Sequence, residues 1–227
     1  NLLEERYKSH TETRELFSVS SQHYAFVVNA FVSLLKRADM TRYELFLRET
    51  RTYEIIEDVK NFRSEIGVLF LNSYNRDVLT KMFDDNRLTY TSLFKARPHI
   101  FVSKSNPLAK HEVVSLEDLE EFPYLSYDQG IHNSFYYSEE ILSQIPHKKS
   151  IVVSDRATLF NLLIGLDGYT IATGILNSNL NGDNIVSIPL GIDDEIDIVY
   201  LKHEKATLSK MGEKFLDNLV KEVTFDN

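Results

Sequence analysis

Glu65-Ile66-Gly67-Val68-Leu69-Phe70-Leu71 is the stretch whose reading decides the fold. From Ile66 to Leu71 it carries no polar side chain, the longest such run in the chain. A strand with one face in water alternates apolar and polar residues, whereas a parallel strand covered by helices on both faces reads as one apolar run. The stretch is therefore expected to be a central strand with helices above and below it. Upstream, Leu16 to Ser20 reads as a short strand, and Tyr24 to Arg37 carries Val27, Val28, Phe31, Leu34 and Leu35 at helical spacing. Tyr43 to Arg48 alternates as a strand, and Ile55, Ile56, Val59 and Phe62 make a second helical stripe. The order is βαβαβ, the pattern of an α/β fold.

Downstream, Leu88 to Phe94 and His99 to Ser103 read as strands separated by Lys95-Ala96-Arg97-Pro98, where the chain is expected to cross to a second lobe. Ser115-Leu116-Glu117-Asp118 is a capping-box-like helix start, and Pro123 stops that helix before the strand Tyr124 to Tyr127. A helix is expected from about Ser134 to Ile145, stopped by Pro146, and then a strand from Ser150 to Val153. Ser154 is expected to cap a helix carrying Leu159, Leu162, Leu163 and Leu166, with the strand Tyr169 to Thr173 after it. The strands Asn184 to Pro189 and Ile196 to Leu201, and a last helix carrying Leu208, Met211, Phe215 and Leu219, leave no room for a third lobe. The expected division is 13–97 plus 196–227 for the first lobe and 98–195 for the second.

Composition bounds the chemistry. The 227 residues are 43% hydrophobic, enough for two lobes with a core each. The absence of cysteine excludes disulfides, thiolate nucleophiles and thiolate metal sites, and fits a reducing cytoplasm. A formal net charge of -9 argues against a duplex-binding surface, because lysine and arginine supply most of that affinity. Asn1 to Tyr7 lacks the apolar stretch of a signal peptide, and no run is long enough to span a bilayer. His10, His23, His99, His111, His132, His147 and His203 show no metal-ligand spacing, and there is no phosphate-binding loop or nucleophile elbow. Asp193-Asp194-Glu195 reads as a solvated hairpin tip. No catalytic group, metal or cofactor is expected.

Four short motifs then occur in a telling order. Glu65-Ile66-Gly67-Val68, Asn106-Pro107-Leu108-Ala109, Ser115-Leu116-Glu117-Asp118-Leu119 and the segment from Leu163 to Ile171 each resemble a motif of the effector-binding domain of LysR-type transcriptional regulators. The resemblance covers about residues 13 to 222. Asn106 and Asp167 stand where that family often shows His and Gly. The resemblance implies two Rossmann-like lobes of the periplasmic-binding-protein type II kind with an effector cleft between them. It also implies a homodimer, tetrameric at full length, that contacts DNA only through a winged helix-turn-helix domain outside these residues. Residues 1–12 would then end the linker helix.

The strand-to-helix junctions supply the candidate contacts. Ser20, Ser21 and Gln22 lie where the first strand passes into the first helix, so hydroxyls and backbone N–H groups there suit an anion. Either serine could instead be a plain N-cap. The string also resembles a Thr-Gln-Ala-Arg-Tyr segment of the family's cysteine-biosynthesis regulators, matched by Ser21, Gln22 and Tyr24 with His23 breaking the spacing; this implies an amino acid or a sulfur-assimilation intermediate as effector. Thr50 holds the second junction, where Glu49 and Arg51 could be a solvated pair. Tyr127, Ser154, Arg156 and Thr173 are the candidates on the second lobe. An arginine at a helix start opposes the helix dipole, so Arg156 needs a partner: a bound carboxylate, Asp155 or Asp128. Gly174 after Thr173 reads equally as turn chemistry. The reading is a sensor that binds and does not convert. A transport solute-binding protein of the same fold is the alternative; an enzyme of the porphobilinogen-deaminase kind would need a cofactor-bearing cysteine.

Overall fold

Ile66–Leu71 is buried at every position, and its alternate side chains feed two different cores. Ile66, Val68 and Phe70 join the large cluster that holds Phe17, Phe31 and Phe215. Leu69 and Leu71 pack with Ile55, Ile56, Val59, Leu79 and Phe83 on the opposite face. Covering both faces is what an uninterrupted apolar run requires.

The computed structural model describes residues 15–38, 41–176 and 182–224. The elements run β1 (Glu15–Ser21), α1 (Ala25–Arg37), β2 (Tyr43–Glu49), α2 (Thr52–Lys60), β3 (Ile66–Leu71), α3 (Arg76–Asp85), β4 (Leu88–Ala96) and β5 (His99–Ser103). They continue with α4 (Leu116–Leu119), β6 (Tyr124–Tyr127), β7 (Ser150–Val153), α5 (Arg156–Leu166), β8 (Tyr169–Ala172), β9 (Ile185–Pro189), β10 (Ile196–His203) and α6 (Lys210–Thr224). They form two five-stranded sheets, ordered β2-β1-β3-β10-β4 and β7-β6-β8-β5-β9. β1 pairs in parallel with β2 and β3, and β10 lies antiparallel to both β3 and β4. The chain thus leaves the first lobe after β4 and returns to it with β10. The architecture is α/β in two lobes, as the sequence reading expects.

Several local expectations need correction. Ser134 to Ile145 does not form an α-helix: it contains one short 3-10 turn at Phe135–Tyr137 and is otherwise irregular chain that buries Glu140 and Ile141. Helix α3, unmarked by periodicity because it buries only Leu79 and Phe83, fills the gap before β4. Phe62 lies past the end of α2, exposed, with φ 59°. On α1, Phe26 and Phe31 are buried and Val32 is half-buried. Phe31 faces Phe17 and Phe215, since α1 packs beside α6, where Asn29 and Ser33 both donate to Glu222. The linker-helix expectation for 1–12 lies outside the described residues. Ser115 does form the capping box, its hydroxyl accepting from Asp118 N while the Asp118 side chain accepts from Ser115 N.

Candidate functional site

β1, β2, β6 and β7 all end at the gap between the lobes, and the helices that follow three of those ends point their N-termini into it. The first junction is tightly self-contained. Ser20 is fully buried, donating to Asp58 at 2.6 Å and sharing a hydrogen bond with Ser64. Ser21 donates to the Gln22 carbonyl at 2.7 Å. Gln22 is engaged at both ends of its side chain, its amide donating to Thr52 Oγ1 and its oxygen accepting from the Tyr24 hydroxyl and Phe70 N. Neither serine caps the helix, because the N-cap is Tyr24, without a side-chain cap bond. The donor that points into the cleft here is His23, whose backbone N–H reaches Glu139 Oε1 of the second lobe at 2.8 Å.

At the second junction the N-cap of α2 is Arg51, and Thr52 N donates across the cleft to Gln129 Oε1 at 3.1 Å. Thr50 is half-buried, its N–H donating to the Ser21 carbonyl. Arg51 and Glu49 are not paired with each other. Arg51 Nη2 donates to Asp128 Oδ2 at 2.5 Å, and Glu49 Oε1 lies 2.8 Å from Arg156 Nε. Both contacts tie one lobe to the other, so Arg156 finds its balancing charge in Glu49 rather than in Asp155 or Asp128. Glu49 Oε1 and Arg156 Nε are both buried, yet neither has an aligned hydrogen bond among the described residues. At 2.8 Å the charges attract, but the N–H is not aimed at the oxygen, and each keeps an unmet hydrogen bond.

On the second lobe, Asp155 and not Ser154 is the N-cap of α5, accepting from Thr158 N at 2.8 Å. Asp155 directly precedes the first helical residue, where a carboxylate caps as well as a hydroxyl, and Ser154, one residue earlier, is left exposed. Tyr127, at the end of β6, stacks on His23 with ring centroids 4.0 Å apart. Gly130 has φ +63°, a backbone conformation that favours glycine, and the Arg51 guanidinium lies against the space a side chain there would take.

Between these junctions lies a cavity of about 50 Å3 lined by Phe26, Phe70 and Ile196 of the first lobe and Tyr127, Arg156, Phe160, Ile171 and Thr173 of the second. Of the eight residues named from sequence, Tyr127, Arg156 and Thr173 reach this lining. Ser20, Ser21 and Gln22 stand behind it in the first lobe, and Thr50 and Ser154 stand outside it. Its walls are apolar and its polar groups few and convergent, as in small-molecule sites. The residues that sequence reading missed, His23, Glu139 and Glu140, lie side by side in it. Burial opposes protonation of His23, but the hydrogen bond and charge of Glu139 outweigh it and raise the imidazole pKa above its ordinary value. Burial, then the charge of Glu139, holds the Glu140 carboxyl well above the usual carboxylate range. Burial, reinforced by the same two acids, pushes the Tyr24 and Tyr127 phenols up.

The model of the LysR substrate binding domain matches residues 20–224. The chain belongs to the LysR substrate-binding-domain family. Solved structures of the same fold include the QuiR effector-binding domain in complex with shikimate, at 16% identity and TM-score 0.60, covering 92% of this chain and 97% of that one. The reduced OxyR regulatory domain from Pseudomonas aeruginosa is similar at 12% identity and TM-score 0.64, covering 91% and 98%. A putative LysR family regulator from the same organism matches at 14% identity and TM-score 0.61, covering 98% of this chain and 76% of that chain. No curated protein sequence matches the chain. At these identities the likeness speaks for the fold alone. Among the described residues no helix is long and apolar enough to cross a membrane.

Proposed function

We propose that this LysR effector-binding domain senses an amino acid with an apolar or thioether side chain, held in the interlobe cleft as a zwitterion. The observation that carries the reading is the Glu49–Arg156 pair, whose two facing atoms are buried without aligned hydrogen bonds. A zwitterion inserted between them gives its carboxylate to Arg156 and its ammonium to Glu49, satisfying both at once. Each such charge-assisted bond is worth roughly 1.5–3 kcal/mol. The aromatic lining then takes the side chain, and a thioether sulfur is well suited to aromatic edges. This keeps the amino-acid and sulfur-metabolite class and moves the carboxylate from Ser20-Ser21-Gln22 to Arg156. Tyr127 and Thr173 flank the ligand, while Ser20, Ser21 and Gln22 form the framework behind it.

A single water needs about 10–15 Å3 of such space, so a cavity of about 50 Å3 holds a few waters and no amino acid. The lobes, divided at about 97–98 and 195–196, therefore part to admit the effector and close again around it. In the full-length regulator this change controls DNA binding by an N-terminal winged helix-turn-helix domain, in a cytoplasmic homodimer and without catalysis. Membership in a regulator family disfavours the transport alternative. A thermal-shift panel of the proteinogenic amino acids on the purified domain tests the reading. A ligand at a hundred times its Kd stabilises by about 2.7 kcal/mol, which for a domain of this size raises Tm by roughly 5–10 °C. Apolar or thioether amino acids should give the shift; a panel with no shift, or with shifts only for cationic members, would overturn it.

A further inference from the structure

The helix start at His23, which suits an external anion, is already occupied. Its occupant is Glu139, brought over from the chain that links β6 to β7. Glu139 Oε1 accepts from His23 N at 2.8 Å and lies 2.9 Å from His23 Nδ1, while Oε2 accepts from Gln129 Nε2 at 3.0 Å. The side chains of both His23 and Glu139 are more than nine-tenths buried, at 6% and 4% exposure. Three donors from two lobes thus converge on one buried carboxylate, the coordination an anion-binding site offers a ligand.

The same segment is fastened to the first lobe on either side of Glu139. Arg51 and Thr52 hold Asp128 and Gln129. His132 stacks on Tyr53 with centroids 3.4 Å apart, Tyr136 stacks on Tyr74, and the Tyr137 hydroxyl meets Met82 Sδ. Long irregular connections inside a compact domain are generally functional, and this one spends its side chains bridging the lobes.

We propose that Glu139 is a built-in ligand: its carboxylate takes the place of an external anion at the start of α1 and latches the lobes closed when no effector is bound. An effector must therefore do more than fill the cavity; it must bind the lobes well enough to replace the strap's contacts while they part and reclose. The latch itself rests on no assumption about the effector, and only its regulatory meaning rests on the cleft being the effector site.

The test uses the atoms that a substitution removes. Glu139→Ala deletes a CH2–COO group, which has the size and charge of acetate, and leaves His23 and Gln129 facing an empty hole. Apparent Tm of the wild type and of Glu139→Ala should be measured in sodium acetate and in sodium chloride at equal ionic strength and pH 7. Glu139→Ala should melt about 4–8 °C lower than wild type in chloride. Acetate should restore most of that loss saturably, while leaving the wild type unmoved. Equal acetate effects on both proteins, or none on either, would overturn the latch. Should Glu139→Ala be too unstable to purify, Glu139→Gln keeps the volume and drops the charge. Its amide exchange at His23 to Ala25 and at Asp128 to Ile141 should then rise about fivefold to tenfold, since a neutral acceptor bonds roughly half as strongly. Exchange unchanged from wild type at both segments would sink the proposal. No effector enters either experiment, so an effector panel that fails leaves the latch standing, and the reverse.

Discussion

His23 is where charge, burial and the interlobe contact meet, and it gives a prediction with a definite sign. Glu139, Glu49 and Asp155 face it with negative charge, Arg156 opposes with positive charge, and the Tyr127 ring covers it. The net effect raises its pKa in the folded protein. A histidine whose folded pKa lies above the unfolded value of about 6.5 contributes stability that is fully present below that value and is lost as pH rises through the folded pKa. NMR titration of the His23 ring should therefore give a midpoint above 6.5 in the wild type, and a lower one in Glu139→Gln, where burial is left as the leading influence. A wild-type midpoint at or below the ordinary value would contradict the pairing. Nothing in the sequence marks this pair, because His23 and Glu139 stand 116 residues apart. Arg156 was legible for the opposite reason: a cation at a helix start is locally unfavourable, and that alone demands a partner. Which partner it takes depends on a tertiary contact with Glu49 that spacing does not encode.

At the scale of elements, hydrophobic periodicity located what is packed on both faces and misread what is used for bridging. β3 and the helices beside it follow from the apolar run and the stripes. Gly67 shows how closely they meet: a Cβ there would fall 2.9 Å from the Cγ2 atoms of both Ile55 and Val59. Gly67→Ala should accordingly destabilise the domain by roughly 1–3 kcal/mol in urea unfolding through overpacking. It should leave effector affinity unchanged, since α2 bears on the face of the sheet away from the cavity. A Gly67→Ala domain as stable as wild type would mean that α2 is less firmly seated than described. The segment from Ser134 to Ile145 has aromatic and aliphatic residues at spacings a helix could use. It stays irregular because Tyr136, Tyr137 and Glu139 are drawn to partners on the other lobe, and tertiary contacts override a weak local preference.

For the whole molecule, the two-lobe plan was legible because each lobe repeats the β/α alternation and the chain is too short for a third. The closed arrangement was not, since it rests on one hydrophobic cluster that runs from Phe17 and Phe26 of the first lobe to Ile171 and Leu190 of the second, and on ion pairs between distant residues. The homodimer implied by the family resemblance is a proposal, and its candidate face is α5. With Phe26 and Phe31 buried, α5 remains the apolar helix with an open face, Ile164 and Leu166 being 44% and 49% exposed. Sedimentation at micromolar concentration should show a dimer, and Leu166→Glu should shift it toward monomer; a wild-type monomer would remove α5 as an interface. The central claim, that the cleft is an effector site built around Arg156, is tested most directly by calorimetric titration of the most stabilising amino acid into the wild-type domain and into Arg156→Ala. Losing one charge-assisted contact should weaken binding about tenfold or more, 1.4 kcal/mol being a factor of ten, with the variant still folded. Equal affinity for the two proteins would contradict the account.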